Sequence, residues 1–121
     1  MAAAAAGARR AGGHTVGILP GAGPAESPPN PDIELAIYTG MGQARNQILV
    51  LSAAAVIGIG GGWGTLSEIG LARKHRVPLV LLDSWQLEPP DDLAEPGFMR
   101  ATSAQQAVEL ALAAANRKDE R

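Results

Sequence analysis

The residues best suited to chemistry lie in one stretch, Val56-Ile57-Gly58-Ile59-Gly60-Gly61-Gly62-Trp63-Gly64-Thr65-Leu66-Ser67-Glu68. An apolar run ends in glycines and opens into a helix predicted to begin near Thr65. The first helical turn leaves backbone N–H groups unpaired at the positive end of the dipole, and glycine lets a ligand come close to the backbone. Residues 61–66 therefore read as an anion cradle. Three chemistries compete for it. A P-loop for nucleoside triphosphates needs a lysine just before Thr65, and Gly64 stands there. A dinucleotide fingerprint needs Gly-x-Gly-x-x-Gly, which no register of residues 58–64 supplies, although Asp83 sits where such a fold places its ribose acid. A monophosphate or similar small anion needs only the amides and the dipole.

Three side chains near the cradle each read two ways. Thr65-Leu66-Ser67-Glu68 fits a capping box, which makes Glu68 a structural residue. A carboxylate beside a phosphate would also meet the sugar of a bound nucleotide, where it could stabilise charge at the anomeric carbon or activate water. Arg45-Asn46 follows Gly40-Met41-Gly42 by one turn, so Arg45 is either a solvated surface cation or a second contact to the same anion. Trp63 is a stacking wall for a base or a cover for the turn. His14 opens a strand at the far edge and reads as structural or exposed. Lys74 belongs to a basic helix end, Arg73-Lys74-His75-Arg76, that suits the negative end of a helix dipole.

The elements that must position these residues follow from apolar period and punctuation. Ala2–Ala11 is strong helix former stopped by Gly12-Gly13. Residues 14–19 read as a buried strand ended by Pro20, and residues 20–31, with five of the nine prolines, as an irregular loop. A second strand covers 33–38. A helix over 41–53 presents Met41, Ala44, Ile48 and Leu51 to the sheet. A third strand covers 54–59, and the next helix buries Leu66, Ile69 and Ala72. A fourth strand covers 77–82, and a proline-rich acidic loop covers 83–98. Ser103 with Gln106 forms a capping box for a last helix running to about Asn116, before a charged tail over 117–121.

This order predicts one α/β domain over residues 1–116, doubly wound with a mostly parallel sheet. Such folds usually open on a strand, so a helical start predicts that an earlier strand-containing unit is absent from the chain. A net charge of −2 gives no reason to expect nucleic acid or an anionic membrane as partner, and no apolar stretch is long enough to span a bilayer. The chain has no cysteine, which suits a reducing cytoplasm, and its two histidines lack the paired spacing of a metal site.

The motif Gly60-Gly61-Gly62-Trp63-Gly64-Thr65-Leu66-Ser67-Glu68, with Thr39-Gly40-Met41-Gly42-Gln43-Ala44-Arg45-Asn46 and Gly17-Ile18-Leu19-Pro20 upstream, resembles the Lonely Guy-like (SLOG) superfamily, once labelled lysine decarboxylase-like. Within it the chain looks most like the branch that contains molybdenum cofactor carrier proteins. The resemblance implies a Rossmann-like fold, commonly dimeric, with phosphate held by Gly61, Gly62, Trp63, Gly64 and Thr65. In the cytokinin-activating members the glutamate and upstream arginine serve hydrolysis of the base–ribose bond in nucleoside 5′-monophosphates. Those roles fall on Glu68 and Arg45, with Asn46 beside the phosphate. Two departures, Gly60 for a proline and Arg45-Asn46 for Arg-Lys, look like the carrier branch instead. The implied ligand is a nucleotide monophosphate or molybdenum cofactor, with no further cofactor required. Relatives carry a strand-helix-strand unit before the first helix, which implies that Met1 corresponds to an internal methionine.

Overall fold

An alanine run without β-branched residues makes the first helix, α1 (Ala2–Arg10). Gly12 at φ +81° ends it: Gly13 N–H donates to Ala8 O and Gly12 N–H to Arg9 O, the paired bonds of a Schellman motif. A computed structural model describes residues 1–91 and 97–119, which form two compact units, 1–48 and 49–121. Residues 92–96 of the acidic loop and 120–121 of the charged tail lie outside the described residues.

In the first unit, β1 (Val16–Leu19) and β2 (Leu35–Tyr38) pair in parallel, Val16 opposite Leu35 and Leu19 opposite Tyr38. The long connection between them satisfies its own polar groups. Gly21 N–H donates to Ser27 Oγ, Ala22 N–H to Glu26 Oε2 and Asp32 N–H to Asn30 Oδ1. Thr15 fixes the entry to β2 by donating to Asp32 O and accepting from Glu34 N–H. Glu34 takes Arg9 Nη1 at 2.7 Å and the His14 ring at 3.1 Å. The hydrogen bond with His14, helped by the charges of His14 and Arg9, holds the Glu34 carboxyl below the usual carboxylate range. This contribution is present above the ordinary carboxylate pKa and is lost as pH falls through the lowered value. His14 is thus part of an exposed ion-pair cluster.

The second unit contains β3 (Val56–Ile59), α3 (Trp63–Lys74), β4 (Leu79–Leu82), β5 (Met99–Ala101) and α4 (Ala104–Asp119). The sheet order is β3-β4-β5, all parallel. Every residue of β4 is buried, as a central parallel strand requires. Its alternate residues serve two cores: Leu79 and Leu81 pack with Ile69 and Ala72 of α3, and Val80 and Leu82 with Ala107 and Ala111 of α4. A helix therefore covers each face, the doubly wound arrangement expected. At Gly58 an added Cβ would stand 3.0 Å from Leu81 and 3.5 Å from Ile69, so glycine lets α3 pack close to β3. Gln106 N–H donates to Ser103 Oγ, as the capping box predicts, while Gln106 Oε1 accepts from Thr102 N–H one residue further out.

Several expectations need correction. The element over 41–53 is a 3-10 turn (Gly42–Ala44) followed by α2 (Arg45–Leu51), because Gly42 at φ +56° cannot enter an α-helix. The buried face of α2 carries Asn46 and Val50, whereas Met41, Ile48 and Leu51 are exposed. Strand β5 has no counterpart in the sequence reading: three residues with Arg100 at the centre show no apolar period, and pairing with β4 makes the strand. Helix α4 continues through Asp119, past the expected end near Asn116. Among the described residues no helix is long and apolar enough to cross a membrane.

Candidate functional site

The turn after β3 depends on Gly60, whose φ of +81° is readily available only to glycine. This sharp turn brings the chain into helical geometry by Trp63, with Gly62 (φ −69°, ψ 160°) as N-cap. The helix thus starts two residues before Thr65, and the Thr65–Glu68 capping box is not formed: the cap is Gly62, and no side chain caps it. The first intrahelical bond runs from Leu66 N–H to Gly62 O at 3.1 Å. The N–H groups of residues 61–65 therefore meet no acceptor among the described residues.

The carbonyl side of the turn is occupied. Ser84 Oγ–H donates to Gly60 O, and Trp85 Nε1–H donates to Gly62 O at 3.3 Å. Arg100 Nη2–H in turn donates to Trp85 O at 3.0 Å. The segment after β4 thus braces the turn from behind while the amides stay open. Added Cβ atoms at Gly61 and Gly62 would meet nothing within 4 Å, so internal packing does not call for glycine at either position. Open amides beside bare glycines can take a compact anion at close range.

Glu68 is half-buried on the sixth residue of α3. It shares a helical face with Gly64 and Thr65, and the backward tilt of the Cα–Cβ bond directs it toward the amino end of α3. Trp63, the first helical residue, is 78% exposed, and its ring lies 5.2 Å from that of Trp85 at 43°. Asp83 is exposed in the left-handed region (φ +47°), which aspartate tolerates, and leads into the bracing segment. Ser84 and Trp85 escaped the sequence reading. Their signal was a hydroxyl and an indole directly after the strand that neighbours β3, at the carboxyl edge where parallel sheets bind ligands.

Residues 61–65 and Glu68 thus stand together in the second unit. Arg45 and Asn46 belong to the first unit, where they open α2. Asn46 is 1% exposed, and its Nδ2–H donates to Gln43 Oε1 at 3.3 Å. A cavity of about 390 Å³ lies at the other end of the second unit's strands, beside Leu79 and lined by Arg73, Arg76 and Arg117. Arg73 and Arg117 stand toward the carboxyl ends of α3 and α4, where cations complement the helix dipole, and this cavity is separate from the glycine turn.

Parallel strands with a helix on each face and a glycine turn at a strand's carboxyl end define a Rossmann-like α/β protein. The chain belongs to the SLOG cluster4 family, whose sequence profile matches residues 1–118. It is similar in structure to the molybdenum cofactor binding protein of the phototrophic bacterium Rippkaea orientalis (39% identity, TM-score 0.79, covering 91% of this chain and 68% of that one). It is also similar to the molybdenum cofactor carrier protein of Chlamydomonas reinhardtii (33% identity, TM-score 0.69, covering 91% and 68%). An uncharacterized protein of Archaeoglobus fulgidus is 38% identical over 99 residues, covering 76% of this chain. The chain spans 64% of that relative's length.

Proposed function

We propose that the chain binds a small phosphate-bearing pterin of the molybdenum cofactor type and carries or senses it without transforming it. The observation that carries this reading is the row of open amides at residues 61–65, set beside two glycines whose Cβ positions face empty space. Both solved structures compared above are of molybdenum cofactor proteins, which supports the choice of ligand. Gly61, Gly62, Trp63, Gly64 and Thr65 would hold the phosphate through backbone donors. For Asn46 a ligand role rests on resemblance, and for Arg45 on resemblance and the carboxyl-edge position of its turn; a dimer rests on resemblance, and a cytoplasmic setting on the absence of cysteine.

A second reading, hydrolysis of the base–ribose bond in nucleoside 5′-monophosphates, is favoured by one feature. Glu68 stands one helical turn after Gly64 and Thr65, on the helix face that leads back to the open amides. One experiment separates the two. The protein is incubated with a panel of nucleoside monophosphates and assayed for free base, and Glu68→Gln is compared for turnover and for binding of a pterin monophosphate. The carrier reading expects no base and an affinity within about twofold of wild type for the variant. Base release that disappears in Glu68→Gln would replace the carrier with the hydrolase.

A further inference from the structure

We propose that the exposed ring of Trp63 is the residue that selects ligands by their heterocycle, stacking on a flat fused-ring system whose phosphate occupies the glycine turn. This rests on the phosphate reading above and adds to it a specificity-determining side chain. Three observations carry it. Trp63 is 78% exposed although it is the largest apolar side chain of α3, so the fold leaves its ring to water and gains little burial from it. It is also the first residue of α3, so its own amide is one of the open donors and its side chain leaves the backbone within the anion-binding turn itself. Finally, the ring is supported. Trp85 lies against it at 5.2 Å, and Trp85 is itself fixed by its bond to Gly62 O and by Arg100.

The two indoles thus divide the tasks that either could have performed. Trp85 is only half-buried, yet it closes the turn from behind and uses its N–H in doing so. Trp63 makes no polar contact among the described residues, and the 43° angle to Trp85 means the pair is tilted, not stacked face to face. A supported, water-facing indole next to a phosphate cradle suits a planar ring joined to a phosphate. Stacking of a base on an aromatic side chain changes affinity by roughly tenfold or more and tolerates any π-face, so selection would be for fused rings as a class.

The test uses guanosine 5′-monophosphate as a fused-ring probe and ribose 5-phosphate as its ring-free counterpart, with affinities from calorimetry. Wild type should bind the first roughly tenfold more tightly. In Trp63→Ala the ratio of the two affinities should fall to about one, while Trp63→Phe should retain most of the preference. Tryptophan fluorescence should be quenched by the guanosine probe in wild type and much less in Trp63→Phe. Equal affinities for both probes in wild type would overturn ring selection while leaving the phosphate cradle in place. No binding of either probe, or of inorganic phosphate, would remove the cradle and ring selection with it. A Trp63 emission that shifts with protein concentration alone, with Trp63→Ala sedimenting at lower mass, would assign the ring to a second copy of the chain and overturn the proposal.

Discussion

The turns that follow β2 and β3 are written in similar residues and behave in opposite ways. Each leaves the carboxyl end of a parallel strand, each is rich in glycine and each runs into a helix. After β2 the chain uses its amides internally: Gly40 N–H donates to Gly21 O and Gly42 N–H to Pro20 O, both at 3.0 Å, while Met41 N–H reaches Thr39 Oγ1. Gly40 and Gly42 are needed for their positive φ of +62° and +56°. After β3 only Gly60 is needed for that reason, and residues 61–65 leave their amides open. A buried backbone donor must be paired somewhere, so an accounting of amides separates a turn closed by its own chain from one open to a ligand. A count of glycines does not.

The largest expected effect separates the turns by binding. Gly61→Val places a branched side chain in empty space next to the open amides. Charge-assisted hydrogen bonds contribute about 1.5–3 kcal/mol each, so losing one or two should weaken phosphate-ligand binding by roughly 30-fold or more. Calorimetry with a pterin monophosphate would read this, with the thermal midpoint moving little. A variant whose thermal midpoint falls while ligand affinity is unaffected would make the second turn a closed one like the first.

The next effect appears in stability alone. Gly42→Ala meets no atom within 4 Å, so its cost is purely the left-handed backbone that alanine resists, about 1–2 kcal/mol. Gly62→Ala has the same open surroundings at φ −69° and should cost less, about 0.5–1 kcal/mol for replacing a glycine N-cap by alanine. Denaturant melts of the two variants compare them directly. Equal losses would mean that Gly62, too, is required by the fold.

How much of this was legible in the sequence depends on what each signal encodes. Strand, glycines, then helix is a local pattern, so the cradle could be read from residues 56–68, and the all-buried β4 from an unbroken apolar run. The start of α3 could not be placed to the residue, because Thr-x-x-Glu fits a cap or any position within a helix equally well; the decisive event, Gly60 turning at positive φ, is set by backbone geometry. Asn46 shows a different limit. Its polarity argues for an exposed face, yet it is buried with Val50, and the stripe of Met41, Ile48 and Leu51 that periodicity favoured is left outside. Ser84 and Trp85 brace the turn from 24 and 23 residues away, a proximity that arises only when β4 pairs with β3.

The smallest effect is also the most direct comparison, because one atom is changed in the same way in each turn. Thr39 Oγ1 donates to Leu19 O at 2.8 Å and accepts from Met41 N–H at 3.2 Å, closing the first turn from within. Thr39→Val leaves both backbone groups without this partner and should cost about 1 kcal/mol of stability. Thr65, on the open helical turn, has a hydroxyl with no partner among the described residues. Thr65→Val therefore removes nothing the fold uses, and its thermal midpoint should match wild type. Its hydroxyl would instead reach a phosphate held by the neighbouring amides, so affinity for a pterin monophosphate should fall roughly fivefold, as expected for one hydrogen bond of about 1 kcal/mol. The two variants should exchange readouts, one losing stability and the other affinity. A midpoint lowered as far by Thr65→Val as by Thr39→Val would make Thr65 a structural residue and leave the phosphate to the backbone alone.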